Sequence, residues 1–277
     1  MAIKGAPSTG ASFCVCVGDH WHERAPHPTQ DAATGSACAH PPASPSVRRP
    51  AAQRGVRGRD GRSCGIPEQG RSLRQAADLL SGQEGNFAAK RNNLARSLAA
   101  IDRLVVYPRE TFSFWHCVGR PTIRAGYQEA AAIRDGALVR DIGGAICLAS
   151  TLLYNVGLLA GMAIEERWCH SVDSYGDARY FELGRDAAVE YAYRDLRMRN
   201  DLAAPLMLRA RVCDGAVRAE ARAPSPQPLD VNVVVSIEES HATLRATATR
   251  IIRFADTWHA TDATSSIYAR ASRAADR

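Results

Sequence analysis

The chain has 277 residues, 45% of them hydrophobic, and carries 35 basic against 29 acidic side chains for a formal charge of +6. That is enough apolar sequence for one large domain or two small ones. The basic excess suits anionic surfaces without choosing one, and no aromatic-interleaved basic stripe, zinc-finger spacing or recognition helix accompanies it, so no nucleic-acid partner is expected.

Residues 1–72 differ in composition from the rest. Prolines at 26, 28, 41, 42, 45 and 50 and arginines at 48, 49, 54, 57, 59 and 62 occur among small residues. No stretch there has a period that buries a face, and the expectation is a disordered extension. Met1–Gly18 lacks an export-signal core, which by itself points to the cytoplasm. The Cys and His residues at 14, 16, 20, 22, 27, 38, 40 and 64 lack the paired spacing that fixes a tetrahedral metal ion, and an even count of eight cysteines does not imply disulfides without an export signal.

A folded domain is expected over residues 73–222. A helical pattern begins near Leu73–Leu80 and resumes through Phe87–Leu104, where Leu94, Leu98 and Ile101 define one apolar face. After Pro108, Thr111–Val118 alternates as a strand. Two short strands flank the Asp135-Gly136 turn pair. Gly143 and Gly144 then lead through Ala145 and Ile146 to Cys147, at the start of a buried helix running to about Gly161. The apolar run Ile142–Ile164 is interrupted by four glycines and by Ser150, Thr151 and Asn155, so no transmembrane segment is expected. Strands follow at Ala163–Trp168, Ala187–Tyr193, Leu206–Cys213 and Ala216–Ala219. Residues 223–277 read as a hairpin extension, Val231–Ile237 with Thr243–Ile252, and a flexible tail from Ala255.

The residues with chemistry to offer are Cys147, His170 and Asp186. A cysteine heads a buried helix, a histidine ends the next strand, and an aspartate opens the strand after it. Unpaired N–H groups at a helix start favour a thiolate, a histidine beside it serves as base, and an acid orients the imidazole. The expected class is therefore α+β, an antiparallel sheet packed on a cysteine-bearing helix, a layout shared with transglutaminase-like and papain-like thiol enzymes. Each of the three also has a purely structural reading: a core cysteine, a histidine on a backbone carbonyl, a turn aspartate. Cys169 and His170 are adjacent in an extended segment and point apart, which argues against a zinc site with Cys147. No cofactor or metal is expected. Trp115, His116 and Arg120 are candidates for a binding surface, with Tyr154 and Asn155 on the cysteine-bearing helix. Arg124, Arg134 and Arg140 add positive charge that would suit an acidic substrate if all four arginines shared a face.

These segments resemble the VanW family over residues 86–211. Pro108-Arg109-Glu110-Thr111-Phe112-Ser113-Phe114 matches a family Pro-Gly-Glu-Thr-Phe-Ser-Phe segment. Gly143-Gly144-Ala145-Ile146-Cys147-Leu148 matches three glycines, a hydrophobic residue and Cys-Gln. Tyr154 and Asn155, Arg167, His170 and Ser171, and Gly184 through Val189 match in order. Three residues depart: Leu148 stands for the glutamine, Ala145 for the third glycine and Arg109 for the turn glycine. The resemblance implies a cell-envelope setting and vancomycin-resistance association, with peptidoglycan or its precursor peptide as partner. It adds Arg167 and Ser171 to the binding candidates and implies no established reaction. The function expected is a binding domain of this kind, or alternatively a cysteine-dependent amidase or acyl-transferase using Cys147, His170 and Asp186.

Overall fold

The structure is a computed structural model. It describes residues 87–134, 137–173, 179–213, 216–225, 229–254 and 257–270, together with the strand segments 14–15 and 73–78. In chain order the elements are β1 (Cys14–Val15), β2 (Leu73–Asp78), α1 (Phe87–Ala99), β3 (Leu104–Val106), β4 (Thr111–Ser113), α2 (Phe114–Val118), β5 (Glu129–Arg134) and β6 (Ala137–Ile142). They continue with α3 (Ile146–Leu159), β7 (Ala163–Glu166), β8 (Arg197–Arg199), β9 (Leu206–Cys213), β10 (Ala216–Arg222), β11 (Asp230–Glu239), β12 (Thr243–Phe254) and β13 (Thr257–Ala269).

The class is α+β, and among the described residues the strands pair antiparallel, apart from the short parallel contact of β1 with β2 and a parallel bridge between Val172 and Ala269. One sheet runs β1-β2-β10-β9-β3, a second β11-β12-β13, a third β4-β8-β7, and β5-β6 form a hairpin. The expected apolar face of α1 is present: Leu94, Leu98 and Ile101 are fully buried. On β9 and β10 every second residue (Leu206, Leu208, Ala210; Val217, Ala219, Ala221) enters the same core, as the period of a half-buried strand requires. Helix α3 is apolar on nearly all sides and packs on α1, β2 and β10. It is the central helix of the fold.

Several elements differ from the sequence reading. Leu73–Asp78 is a strand rather than a helix, because it pairs antiparallel with β10 along its whole length, and sheet pairing overrides weak local propensity. Thr111–Val118 is not one strand. Ser113 accepts a hydrogen bond from the His116 amide at 3.1 Å and caps the short helix α2, as a serine at that position does. Ala187–Tyr193 forms isolated bridges and a turn instead of a strand. Residues 257–269, read as part of a flexible tail, form the long strand β13 paired with β12. Their alanine- and threonine-rich sequence hid an alternation in which Ser266 and Tyr268 are buried. The expected extension 1–72, apart from Cys14–Val15, and the turn pair Asp135-Gly136 lie outside the described residues.

Candidate functional site

The loop into α3 is fixed from the side by α1. Asn93, fully buried, donates to the carbonyls of Gln128 (2.8 Å) and Gly144 (3.0 Å) and accepts from the Gln128 amide (2.8 Å). Gly144 passes so close to β5 that a Cβ there would lie 2.3 Å from the Ala130 carbonyl oxygen. Ala145 follows in the left-handed region at φ 77°, and Ile146 starts the helix. Cys147 is therefore the second residue of α3, and it is half-buried.

One face of α3 then holds the segment 185–189. Thr151 accepts from the Ala187 amide at 3.0 Å, and Ser150 donates to the Ala187 carbonyl at 2.6 Å. Asn155 donates to the Arg185 carbonyl at 2.7 Å and accepts from the Arg185 guanidinium at 2.8 Å. The Cys147 thiol donates to the Val189 carbonyl at 3.6 Å. Residues at spacings of three, four and eight from Cys147 lie on one side of a helix, so the polar groups that interrupt the apolar run are the ones that locate Asp186.

His170 reaches Asp186 through backbone register. Trp168 bridges Ala188 antiparallel, and a two-residue step along that register sets His170 opposite Asp186. Asp186 Oδ2 accepts from the His170 amide at 2.7 Å and faces its Nδ1 at 2.6 Å. Oδ1 accepts from Arg167 at 2.7 Å and from the Tyr268 hydroxyl at 2.5 Å. Arg167 also donates to the Asp186 and Gly184 carbonyls and to Ser266 Oγ, and it lies over the Tyr154 ring at 5.3 Å. Burial would raise the Asp186 pKa, but the His170 hydrogen bond and the Arg167 charge outweigh it and hold the carboxyl down at about 2.

Burial likewise disfavours the charged imidazolium. The hydrogen bonds to Asp186 and Cys147 prevail and lift His170 to about 10. For Cys147, burial opposes ionisation, yet the hydrogen bond and charge of His170 bring the thiol below its ordinary 9.0. Both shifts run toward the charged form of the group concerned.

The fold brings His170, Asp186, Arg167 and Tyr154 together, while Asn155 and Cys147 hold the flanking Arg185 and Val189 of the same segment. Tyr154 and Asn155 are fully buried and serve as scaffold. Arg167 is a buried partner of Asp186, with 4% of its side chain exposed, so the binding role expected of these three does not fit their burial. Ser171 is exposed and lends its carbonyl to the Ala269 amide. Trp115 is half-buried, donates to the Arg194 carbonyl at 2.8 Å and meets Tyr191 edge to face. His116, Arg120 and Arg124 are exposed. Arg140 is exposed and stands 3.9 Å from Glu129. Asn93, Ser150, Thr151, Ser266 and Tyr268 were not singled out from sequence. For Ser150 and Thr151 the signal was available, as helical spacing from Cys147. The Cys169 thiol points to the Ile267 carbonyl, away from the Asp186 side taken by His170. Among the described residues no group of three His, Cys, Asp or Glu side chains is arranged to hold a metal ion, and no helix is long and apolar enough to cross a membrane.

The family model for VanW like protein matches residues 89–222, which include Cys147, His170 and Asp186. Residues 89–222 belong to the VanW family. The chain is similar to the uncharacterized protein YoaR of Bacillus subtilis (strain 168), 34% identical over 175 residues, covering 58% of this chain and 56% of that protein. It is also similar to the vancomycin B-type resistance protein VanW of Enterococcus faecalis (strain ATCC 700802 / V583), 32% identical over 110 residues, covering 39% of this chain and 40% of that protein. The chain thus spans about half the length of these relatives. No solved structure matches it, so the papain-like or transglutaminase-like layout expected from sequence draws no support from known folds. Two family departures, Ala145 and Arg109, both have positive φ, 77° and 69°. Side chains there occupy a conformation suited to glycine.

Proposed function

We propose that the VanW-family segment is a thiol acyl-transfer or amidase unit acting on an amide of peptide or peptidoglycan type, in a protein associated with the cell envelope. The observation that carries this reading is the buried Asp186–His170 bond next to the half-buried Cys147 at the start of α3. In the proposed step the Cys147 thiolate attacks the amide carbonyl carbon and forms a C–S bond. The C–N bond breaks as the amine takes its proton from the His170 imidazolium. Water then attacks the thioester carbonyl and gives a proton to His170, and the C–S bond breaks to return the Cys147 thiolate and release the acid; an acceptor amine attacking in the same way releases a new amide instead. Asp186 keeps the imidazole oriented and charged. The envelope setting and the substrate class rest on the VanW relative's association with vancomycin resistance.

The test is incubation with a reactive peptidyl ester followed by intact-mass measurement. An added acyl group that disappears in Cys147→Ala supports the proposal. No acyl addition, or addition that persists in Cys147→Ala, contradicts it.

A second reading is a non-catalytic domain that binds peptidoglycan, its precursor peptide or a protein partner. Leu148, standing where the family has glutamine, favours it. So does the surface aromatic pair Trp115 and Tyr191, the latter 41% exposed. Binding to purified peptidoglycan that survives Cys147→Ala but is lost in Trp115→Ala would support this alternative.

A further inference from the structure

Tyr268 lies outside the residues matched by the VanW family model. It is nevertheless among the groups closest to Asp186. Alternate residues of β13 face the site: Thr264 Oγ1 is 3.4 Å from the Tyr154 hydroxyl, Ser266 accepts from Arg167 at 2.6 Å, and Tyr268 donates to Asp186 at 2.5 Å. The period is that of a strand with one face buried. The Tyr268 hydroxyl in turn accepts from the Gly184 amide at 3.0 Å, which fixes its proton toward the carboxylate. The same strand reaches the His170 segment through the Ala269 amide, which donates to the Ser171 carbonyl at 2.8 Å.

We propose that Tyr268 is a positioning residue of the thiol–imidazole site, acting through Asp186: its hydroxyl anchors Oδ1 so that Oδ2 stays aimed at His170. This deepens the proposed function and rests on it for its catalytic meaning. It also makes the C-terminal sheet part of the functional unit. Asp186 is 1% exposed, so its charge depends on its donors, and a lost donor cannot be replaced by bulk water. The phenol suits this task because burial, together with the neighbouring carboxylate, pushes its own pKa up and keeps it a donor at all physiological pH.

The experiment is a carboxyl-carbon NMR titration of Asp186 in the full chain, with Cys147 alkylation rates measured on the same samples. Tyr268→Phe keeps the ring and removes the donor. The proton affinity of Asp186 is expected to rise about tenfold, the equivalent of one hydrogen bond to a charged group. Replacement of Tyr268 by fluorotyrosine, a stronger donor that preserves shape, is expected to lower that affinity below wild type. The fluorotyrosine result stands even if the phenylalanine variant does not fold. An Asp186 titration unmoved by fluorotyrosine overturns the assignment. Slow alkylation of wild-type Cys147, with the Asp186 titration still responding, would instead leave Tyr268 assigned to Asp186 and overturn the acyl-transfer reading.

Discussion

Asn93 on α1 and Gly144 in the loop before α3 are joined by a 3.0 Å hydrogen bond from the Asn93 amide to the Gly144 carbonyl. This bond ties the position of Cys147 to a helix that carries no group of the site itself. Asn93→Ala removes that bond and both bonds to Gln128. It is expected to destabilise the fold by about 2–4 kcal/mol, since buried backbone groups are left unpaired. Urea denaturation measures it, and a loss within error of zero contradicts the assigned role.

Gly144→Ala places a Cβ against the Ala130 carbonyl carbon and oxygen, 2.4 Å and 2.3 Å away. Both contacts are with backbone, so β5 or the loop must move. A cost of about 3 kcal/mol is expected, along with slower alkylation of Cys147 in the folded protein. A thermal melt of the variant that overlays wild type would rule out this close approach.

Ala145→Gly and Arg109→Gly are expected to stabilise, each by about 0.5–1 kcal/mol. The left-handed conformation costs an L-residue about 1–2 kcal/mol, and part of the relief is offset by the backbone entropy of glycine. Arg109 also pairs with Asp201 at 3.0 Å, but its side chain is 78% exposed, and such pairs contribute little. Melting temperatures of the two variants and of the double variant check the direction. A fall in either contradicts it.

The pH dependence has a distinctive sign. Asp186, lowered from 3.8 to about 2, contributes stability that is complete above 3.8 and lost as pH falls through about 2. His170, raised from 6.5 to about 10, contributes stability that is complete below 6.5 and lost as pH rises through about 10. Cys147 is lowered from 9.0, so above its folded pKa the folded state lacks one proton that the unfolded state keeps up to 9.0. Above that folded pKa, and between 6.5 and 9.0, the proton gained at His170 and the proton lost at Cys147 cancel. Wild-type stability is then flat with pH. In Cys147→Ala only the histidine contribution remains, and stability should fall with pH across the same window. Denaturant titrations at several pH values compare the two slopes, and parallel slopes would show that the groups are uncoupled.

Much of this site was legible in the sequence, for reasons that differ by residue. Leu94, Leu98 and Ile101 announce α1 by spacing alone, and the glycines before Cys147 mark a sharp entry to α3. Both are local signals. His170 and Asp186 were identifiable as types in a suggestive order, but their meeting depends on the Trp168–Ala188 bridge, a pairing set by tertiary structure. Tyr268 could not be found from local pattern. It is separated from Asp186 by 82 residues, and its strand is built from Ala, Thr and Ser, which give little hydrophobic alternation. Leu73–Asp78 reads as helix in sequence because Leu and Ala favour helices, while the open edge of β10 recruits these residues as a strand.

The most direct test of the account is the pH profile of Cys147 alkylation by iodoacetamide, assigned by mass spectrometry, in wild type and in His170→Ala. Labelling is expected to be fast at neutral pH in wild type and to fall about tenfold or more in His170→Ala as the thiol returns toward its ordinary pKa. Slow wild-type labelling that follows an ordinary thiol and ignores the loss of His170 would contradict it.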